Sequence, residues 1–393
     1  MNSVRFGIAG LGNMGAIHAH SLLKGEVPRA RLAAVADPVA DLSPYGDAKR
    51  FTSTDALISS GEIDALLIVT PHFLHTPLGI KALNAGLHVL VEKPISVHKA
   101  DAEALLAAHT NPKQVFGAMF NQRTDPHFIK LRNWIRSGEL GKIHRMSWTI
   151  TSWFRTEAYY NSGGWRATWS GEGGGVLLNQ CPHNLDLWQW LFGMPSAVQA
   201  HCEFGRFHDI EVEDSVTAFL EYPEGVTGTF ITSTGEAPGV NRLEIATEQG
   251  LVVLDSGRLT WNRTEVPVSE FSKTSPSRYA VPPVWNIDVP ITGHGEQHIG
   301  VLKNFVAAVL DGAPLIAPAA EGLRSIELAN AMLMSSFLKR SIDLPLDAAA
   351  YEKLLQEKIA QSRGAEKLAR IPLSTPAVNE AGCSYTVHPS YLT

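Results

Sequence analysis

A glycine run set between a strand and a helix constrains this chain more than any other feature. Residues 4–9 (Val-Arg-Phe-Gly-Ile-Ala) read as an apolar strand, and residues 16–23 carry a helical pattern. Between them stands Gly10-Leu11-Gly12-Asn13-Met14-Gly15. A lone GxGxxG carries little weight, but a strand before it and a helix after it are the context that a dinucleotide-binding turn requires. Gly10 permits the tight turn, Gly12 lets a pyrophosphate approach the backbone, and Gly15 lets helix and strand pack closely. The diphosphate sits on the helix N-terminus, with Asn13 and Met14 beside it.

The alternation continues. A second strand over 31–36 ends at Asp37, whose carboxylate accepts hydrogen bonds from the adenosine ribose and repels a 2′-phosphate, favouring NAD over NADP. The plain alternative is a surface acid capping a turn. Residues 64–69 are a near-continuous apolar run, as a parallel strand buried on both faces requires. Thr70-Pro71 breaks that strand, a helix opens at 73–75 with His75, and Gly86 ends it. The next strand, 89–91, runs into Glu92-Lys93-Pro94. Strands alternating with helices predict a parallel, doubly wound sheet. Its ligand crevice lies beyond the carboxyl ends of the strands, where the glycine run, Thr70, Pro71, His75, Glu92 and Lys93 all fall.

A lysine beside a nicotinamide can donate a hydrogen bond to a reacting hydroxyl and stabilise developing alkoxide. Desolvation and a cationic cofactor lower its pKa there. The alternative for Lys93 is a solvated lysine after a strand. Glu92 reads as a structural acid or as a tuner of Lys93.

The glycine run, Asp37, Thr70-Pro71 with His75, and Glu92-Lys93-Pro94, in this order and spacing, resemble the Gfo/Idh/MocA oxidoreductase family. The resemblance implies a Rossmann domain followed by an α+β domain with a large open, mostly antiparallel sheet. It also implies that Lys93 is the active-site lysine and that the Lys93–Pro94 bond is cis.

With 393 residues the chain is long enough for two domains with sizeable cores. The balance of 33 basic against 39 acidic residues gives −6, which argues against nucleic acid or an anionic membrane as the main partner. Cys181, Cys202 and Cys383 are far apart and lack metal-ligand spacing, so no metal is expected and a reducing cytosol is the expected location. The N-terminus carries no signal-peptide pattern, and no apolar run reaches membrane-spanning length.

Residues 115–120 are the last strand of the first domain, and Asn121-Gln122-Arg123 lead into the second. We place the boundary near 122. That gives a Rossmann domain over 1–122, a substrate-binding and oligomerisation domain over 123–350, and a C-terminal helix and tail over 351–393. The tail from 371 is expected to wrap a neighbouring subunit or domain. Residues 153–169 are rich in aromatics and arginines, including Arg155, Tyr159, Trp165 and Arg166. Such a segment suits a carbohydrate, whose C–H faces stack on rings while its hydroxyls meet donors; core and interface packing is the alternative. With Arg123 and His298 these residues are the candidate substrate contacts.

Gly173-Gly174-Gly175 leads into a helical run over 176–192 holding Asn179, His183 and Asp186, with Pro182 inside it. Helical spacing sets Asn179 one turn before His183, and Pro182 puts the start of the regular helix close to itself. By the resemblance, His183 is the general base and Asp186 a supporting residue. An acid is the commoner residue at 179; Asn179 can orient His183 by a hydrogen bond but carries no charge. The run 179–187 resembles the glycoside 3-dehydrogenase branch. Later segments read as a meander of antiparallel strands. The acid cluster 208–214 reads as a solvated strand entry rather than a metal site. Residues 273–290 read as irregular, and a helix opens near His298.

Reversible oxidation of a secondary hydroxyl on a sugar, glycoside or polyol is the leading expectation. Hydride passes to the nicotinamide, His183 takes the proton, Lys93 holds the oxygen and Asn179 orients His183. A glycosidase working through transient oxidation at C3, elimination and re-reduction is the second. A non-catalytic NAD-binding sensor is the third; the presence of Lys93 and His183 together weighs against it. A homo-oligomer, dimer or tetramer, is expected.

Overall fold

The computed structural model describes residues 2–291 and 293–364. The chain opens with β1 (Val4–Ala9), α1 (Asn13–Leu23), β2 (Ala30–Ala36), β3 (Lys49–Phe51), α2 (Thr54–Ser59), β4 (Ala65–Ile68), α3 (His75–Asn84), β5 (His88–Val91), α4 (Lys99–Ala107) and β6 (Phe116–Ala118). Its six strands form one sheet in the order β3-β2-β1-β4-β5-β6, and every neighbouring pair is parallel. This is the doubly wound order. All four residues of β4 are buried, because helices cover both faces of a sheet built by crossover connections. The order reverses between β1 and β4, which opens the crevice at their carboxyl ends.

A second sheet follows. Its elements are α5 (Pro126–Ser137), β7 (Ile143–Ile150), α6 (Glu157–Tyr160), α7 (Pro182–Phe192), β8 (Ala197–Phe204), β9 (Glu213–Glu221), β10 (Thr227–Ser233), β11 (Asn241–Thr247), β12 (Gly250–Asp255), β13 (Arg258–Thr264), α8 (Val268–Thr274), β14 (Val284–Asp288), α9 (Gln297–Asp311), α10 (Ala319–Leu338), β15 (Ile342–Asp343) and α11 (Ala348–Ala360). The nine strands run β14-β13-β12-β11-β7-β10-β9-β8-β15, antiparallel except for β10 on β7. In β9, Val216, Ala218 and Leu220 are buried while Thr217, Phe219 and Glu221 are exposed, the alternation of a sheet covered on one face.

Two late helices pack back against the first domain. Val301, Leu302, Phe305 and Val306 of α9 return to the core of the first sheet, with Phe305 packed 5.9 Å from Phe6. Helix α10 is buried at every position from 325 to 335, as a helix enclosed on all sides must be. It packs on β8, α7 and α4. It meets the first domain through Lys99, whose Nζ lies 2.7 Å from Glu327 and from the Leu346 carbonyl.

Two expectations are corrected. Residues 273–290 contain β14, an edge strand whose mostly exposed residues carry no apolar alternation to reveal it. The cluster 208–214 is solvated only in part: Asp209 is exposed, but Glu213 and Asp214 are fully buried. Glu213 accepts N–H bonds from Gly175 and Leu177, and Asp214 from Arg206, Phe207 and His208. As Pro182 leads one to expect, regular helix after the glycine run begins at that residue, and residues 176–180 form turns. The tail read over 371–393 lies outside the described residues. No helix among the described residues is long and apolar enough to cross a membrane.

Candidate active site

The glycine turn stands at the carboxyl end of β1. Gly10 adopts φ +91°, and a Cβ there would lie 2.5 Å from the Val69 carbonyl oxygen. A Cβ on Gly15 would meet the Gly10 oxygen at 1.9 Å, so α1 can approach the turn only through glycine. Gly12 is different, because a Cβ there would meet nothing within 4 Å. It caps α1 without a side chain, so no capping group covers the first helical turn. Thr70 at the end of β4 has a buried Oγ1 without a partner among the described residues. This open, donor-lined cradle fits the diphosphate of a dinucleotide. Asp37 ties the turn to β2: its Oδ2 accepts from Leu11 N at 2.8 Å, and its Oδ1 accepts from Val39 N and Ala40 N.

His75 and Glu92 lie beneath this edge and not on it. His75 is buried, with Nδ1 2.7 Å from the Pro94 oxygen and Nε2 2.7 Å from the Thr70 oxygen. Expected as a cofactor contact, it instead holds the turns after β4 and β5 together, because both ring nitrogens are engaged by carbonyls. Glu92 is also buried and is bonded at 2.8 Å to Nε2 of His18, on α1. Its other oxygen accepts from Lys93 N at 3.1 Å. Burial pushes the Glu92 carboxyl up, but the His18 bond and the charges of His18, His298 and Lys93 outweigh it and bring it down to about 2. His298 faces His18 edge-on at 5.5 Å between ring centres.

The Lys93–Pro94 bond is cis. The Lys93 side chain reaches across the crevice, and Nζ donates to the Asn179 carbonyl oxygen at 2.9 Å. Burial lowers the Lys93 ammonium below the ordinary lysine value, against the raising effects of Glu92 and Glu172. An ammonium so held can donate to a substrate oxygen.

His183 occupies the first turn of α7, with its ring edge-on to Phe120 at 6.3 Å. Its Nδ1 is buried, and neither ring nitrogen makes a hydrogen bond among the described residues. Burial, then the charges of Lys93 and His298, hold the imidazole well below 6.5, so it is neutral at neutral pH. The expected bond from Asn179 to His183 is absent. Pro182 starts the helix only after Asn179, so the i, i+4 alignment never forms. The Asn179 amide instead donates Nδ2 to Glu172 and accepts at Oδ1 from Tyr159 at 3.3 Å.

Tyr159 is the hub of the aromatic segment. Its hydroxyl accepts from Arg166 at 2.9 Å and from Gln180 at 3.1 Å. The guanidinium groups of Arg155 and Arg166 lie 5.1 and 4.7 Å from its ring centre. Trp165 stands edge-on to His72 at 5.5 Å, bringing this segment to the turn after β4. Lys93 is thus bonded to Asn179 and feels Arg166, His183 and His298, while Tyr159 connects to it through Asn179, Trp165 through His72 and Arg155 through Tyr159. Arg123 is not with them. Its guanidinium is fully buried, with Nε and Nη2 bonded to Asp186 at 2.7 and 2.6 Å and Nη1 to Glu321. It serves as a clamp because all three of its nitrogens are engaged by protein acceptors.

Sequence reading passed over His18, His72 and Glu172. Glu172 is buried, accepts from Asn179, and takes the Ala167 amide at 2.6 Å. An acid thus stands next to Asn179, supplied from seven residues upstream. The signal was its place directly before Gly173-Gly174-Gly175.

Residues 4–120 match the oxidoreductase family with an NAD-binding Rossmann fold, and residues 128–253 match the GFO/IDH/MocA C-terminal domain. An inositol 2-dehydrogenase of Rhizobium meliloti is 29% identical over 352 residues, covering 87% of this chain and 99% of that protein. A levoglucosan dehydrogenase of Pseudarthrobacter phenanthrenivorans is 25% identical, with 88% and 99% covered. Among solved structures, the WlbA dehydrogenase of Bordetella pertussis, in complex with NADH and UDP-GlcNAcA, superposes with a TM-score of 0.73 at 25% identity, over 88% of this chain and 100% of that one.

Proposed function

Because the chain belongs to the Gfo/Idh/MocA family of NAD-binding oxidoreductases, we propose that it catalyses the reversible NAD-dependent oxidation of a secondary hydroxyl on a sugar, glycoside or polyol. The observation that carries this reading is His183. A neutral imidazole with no hydrogen bond among the described residues, buried near the charge of Lys93, is a base waiting for a proton donor.

Gly10, Gly12, Asn13, Met14, Asp37, Thr70 and Pro71 would hold the cofactor. Bound NAD supplies the hydride acceptor. His183 takes the hydroxyl proton, and Lys93 donates to the same oxygen as negative charge develops on it. Asn179 carries the carbonyl that aims Lys93. Tyr159, Trp165, Arg155, Arg166 and His298 line the sugar side, where rings meet C–H faces and guanidinium groups meet hydroxyls. The resemblance of the run 179–187 to the glycoside 3-dehydrogenase branch supports C3 of a glycoside as the hydroxyl oxidised. The inositol and levoglucosan dehydrogenases among the relatives support a cyclic polyol or sugar as the substrate class. We also infer a homo-oligomer, which sedimentation equilibrium tests, and a cytoplasmic location, which cell fractionation tests.

The deciding experiment incubates the protein and NAD with myo-inositol, levoglucosan and aryl glucosides, and follows NADH and free aglycone together. NADH accumulation is the expected result. Aglycone released without net NADH would favour the oxidise–eliminate–reduce hydrolase. Lys93→Ala should abolish turnover and spare NAD binding, and normal turnover by that variant would sink the assignment.

A further inference from the structure

We propose that Glu172 is the positioning carboxylate of this site, holding and tuning Lys93 through Asn179. The inference rests on Lys93 being the group that meets the reacting oxygen. Lys93 Nζ has its hydrogen-bond acceptor in the Asn179 carbonyl, at 2.9 Å. That carbonyl belongs to the turn 176–180, outside the regular hydrogen bonding of α7. The turn has main-chain bonds of its own, Asn179 N to the Gly175 oxygen at 3.0 Å and Cys181 N to the Val176 oxygen at 2.8 Å, and two buried carboxylates brace it further.

Its near end is fixed by Glu213, which accepts the N–H groups of Gly175 and Leu177 at 2.8 and 3.0 Å. Its far end is fixed by the Asn179 side chain, whose Nδ2 donates to Glu172 Oε1. Glu172 is 2% exposed. Its Oε2 accepts from Ala167 N at 2.6 Å, and its main-chain oxygen lies 3.3 Å from Nδ1 of His72. A carboxylate so buried is held by donors on both oxygens, as a buried charge must be. The resulting chain runs carboxylate, amide, carbonyl, ammonium. It carries a negative charge to the acceptor side of Lys93 without touching the substrate oxygen.

The charged and titratable groups facing Lys93 come from every neighbouring element. Glu92 comes from its own strand end, and Glu172, Arg166 and Cys181 from the segment before α7. His72 comes from the turn after β4, His75 from the start of α3, His183 from α7 and His298 from α9. Of the carboxylates, Glu92 is engaged with His18 and with the Lys93 main chain. Glu172 is the one linked to the acceptor of Nζ. Removing its charge makes the ammonium harder to keep in a low-dielectric crevice.

The test uses the full chain with NAD bound, its lysines reductively [13C]methylated. The Lys93 methyl signal is identified by its loss in Lys93→Arg and titrated by NMR. In Glu172→Gln, Lys93 should titrate on the order of one unit lower than in the wild type, the size of shift that one nearby opposite charge produces. The exchange variant Glu172→Gln/Asn179→Asp keeps one carboxylate and one amide in the pair, and it should return Lys93 to the wild-type titration. The alkaline limb of the rate profile should move in parallel. Unchanged titration in Glu172→Gln overturns the proposal, and so does an exchange variant that folds but stays shifted. If Glu172→Gln alone fails to fold, a wild-type titration in the exchange variant supports the proposal. Failure of both to fold makes Glu172 merely structural and overturns it. Turnover surviving in Lys93→Ala would instead overturn the role of Lys93, leaving the titration result intact.

Discussion

Arg123 and Asp186 face each other as a two-pronged pair, Nε to Oδ2 at 2.7 Å and Nη2 to Oδ1 at 2.6 Å, with neither side chain meaningfully exposed. The pair joins the segment after β6 to α7, the helix that carries His183. Removing one partner leaves a buried charge uncompensated, which costs about 3–5 kcal/mol. Arg123→Met should therefore lower the urea midpoint steeply. A variant with wild-type stability and only a raised KM would return Arg123 to the substrate contacts.

Gly12 and Gly15 should respond to alanine in opposite ways. At Gly15 the new methyl would sit 1.9 Å from a backbone oxygen, so the fold must shift. We expect Gly15→Ala to lose about 3 kcal/mol or more of stability, the upper range for over-packing. At Gly12 the methyl meets no protein atom within 4 Å and φ is −64°, so Gly12→Ala should unfold like the wild type. It should nevertheless bind NAD about tenfold more weakly or worse, ~1.4 kcal/mol, since the methyl occupies the diphosphate's approach. Fluorescence titration with NAD beside thermal unfolding separates the two. Unchanged NAD affinity in Gly12→Ala would move the diphosphate elsewhere.

Much of this architecture is legible in the sequence where cause is local. Gly10, Gly12 and Gly15 act within one turn, and the alternation of Val216, Ala218 and Leu220 announces a one-sided strand. What stays hidden depends on partners brought in from afar. His18 and Glu92 are 74 residues apart, and Arg123 and Glu321 are 198 apart. Spacing cannot tell that an acid at the entry to β9 will turn inward to hold Gly175, as Glu213 does. Asn179 differs for a sharper reason. Helical spacing would set it one turn before His183, but Pro182 starts the helix three residues after Asn179, so that spacing does not apply.

Asp37 should set cofactor choice by charge. Its carboxylate braces Leu11 N at the glycine turn, near where a 2′-phosphate would add further negative charge. Asp37→Ser removes the repulsion and keeps a short polar side chain. The preference for NAD over NADP, read as the ratio of kcat/KM values, should fall by about a hundredfold, in keeping with several kcal/mol of like-charge cost. An unchanged ratio would show that the carboxylate only braces the turn.

His183 and His298 predict how the protein meets acid. Burial chiefly, then the charges of Lys93 and His298, hold the His183 imidazole well below 6.5. Burial likewise leads in bringing His298 down to about 4, with His18 and Lys93 adding to it and Glu92 opposing. A histidine depressed on folding binds fewer protons folded than unfolded, so its contribution to stability is complete above 6.5 and lost as pH falls toward the folded value. The thermal midpoint should therefore hold down to about pH 6.5 and then decline toward pH 4, and His298→Gln should flatten part of that decline. Oxidation should behave in step: His183 stays a free base below the pKa of ordinary imidazole, so kcat/KM should not halve near pH 6.5 as it would for a solvated histidine. A midpoint flat from neutrality to about pH 4, or an acid limb centred at about 6.5, would mean that these rings are solvated and would undo the assignment of His183 as a buried neutral base.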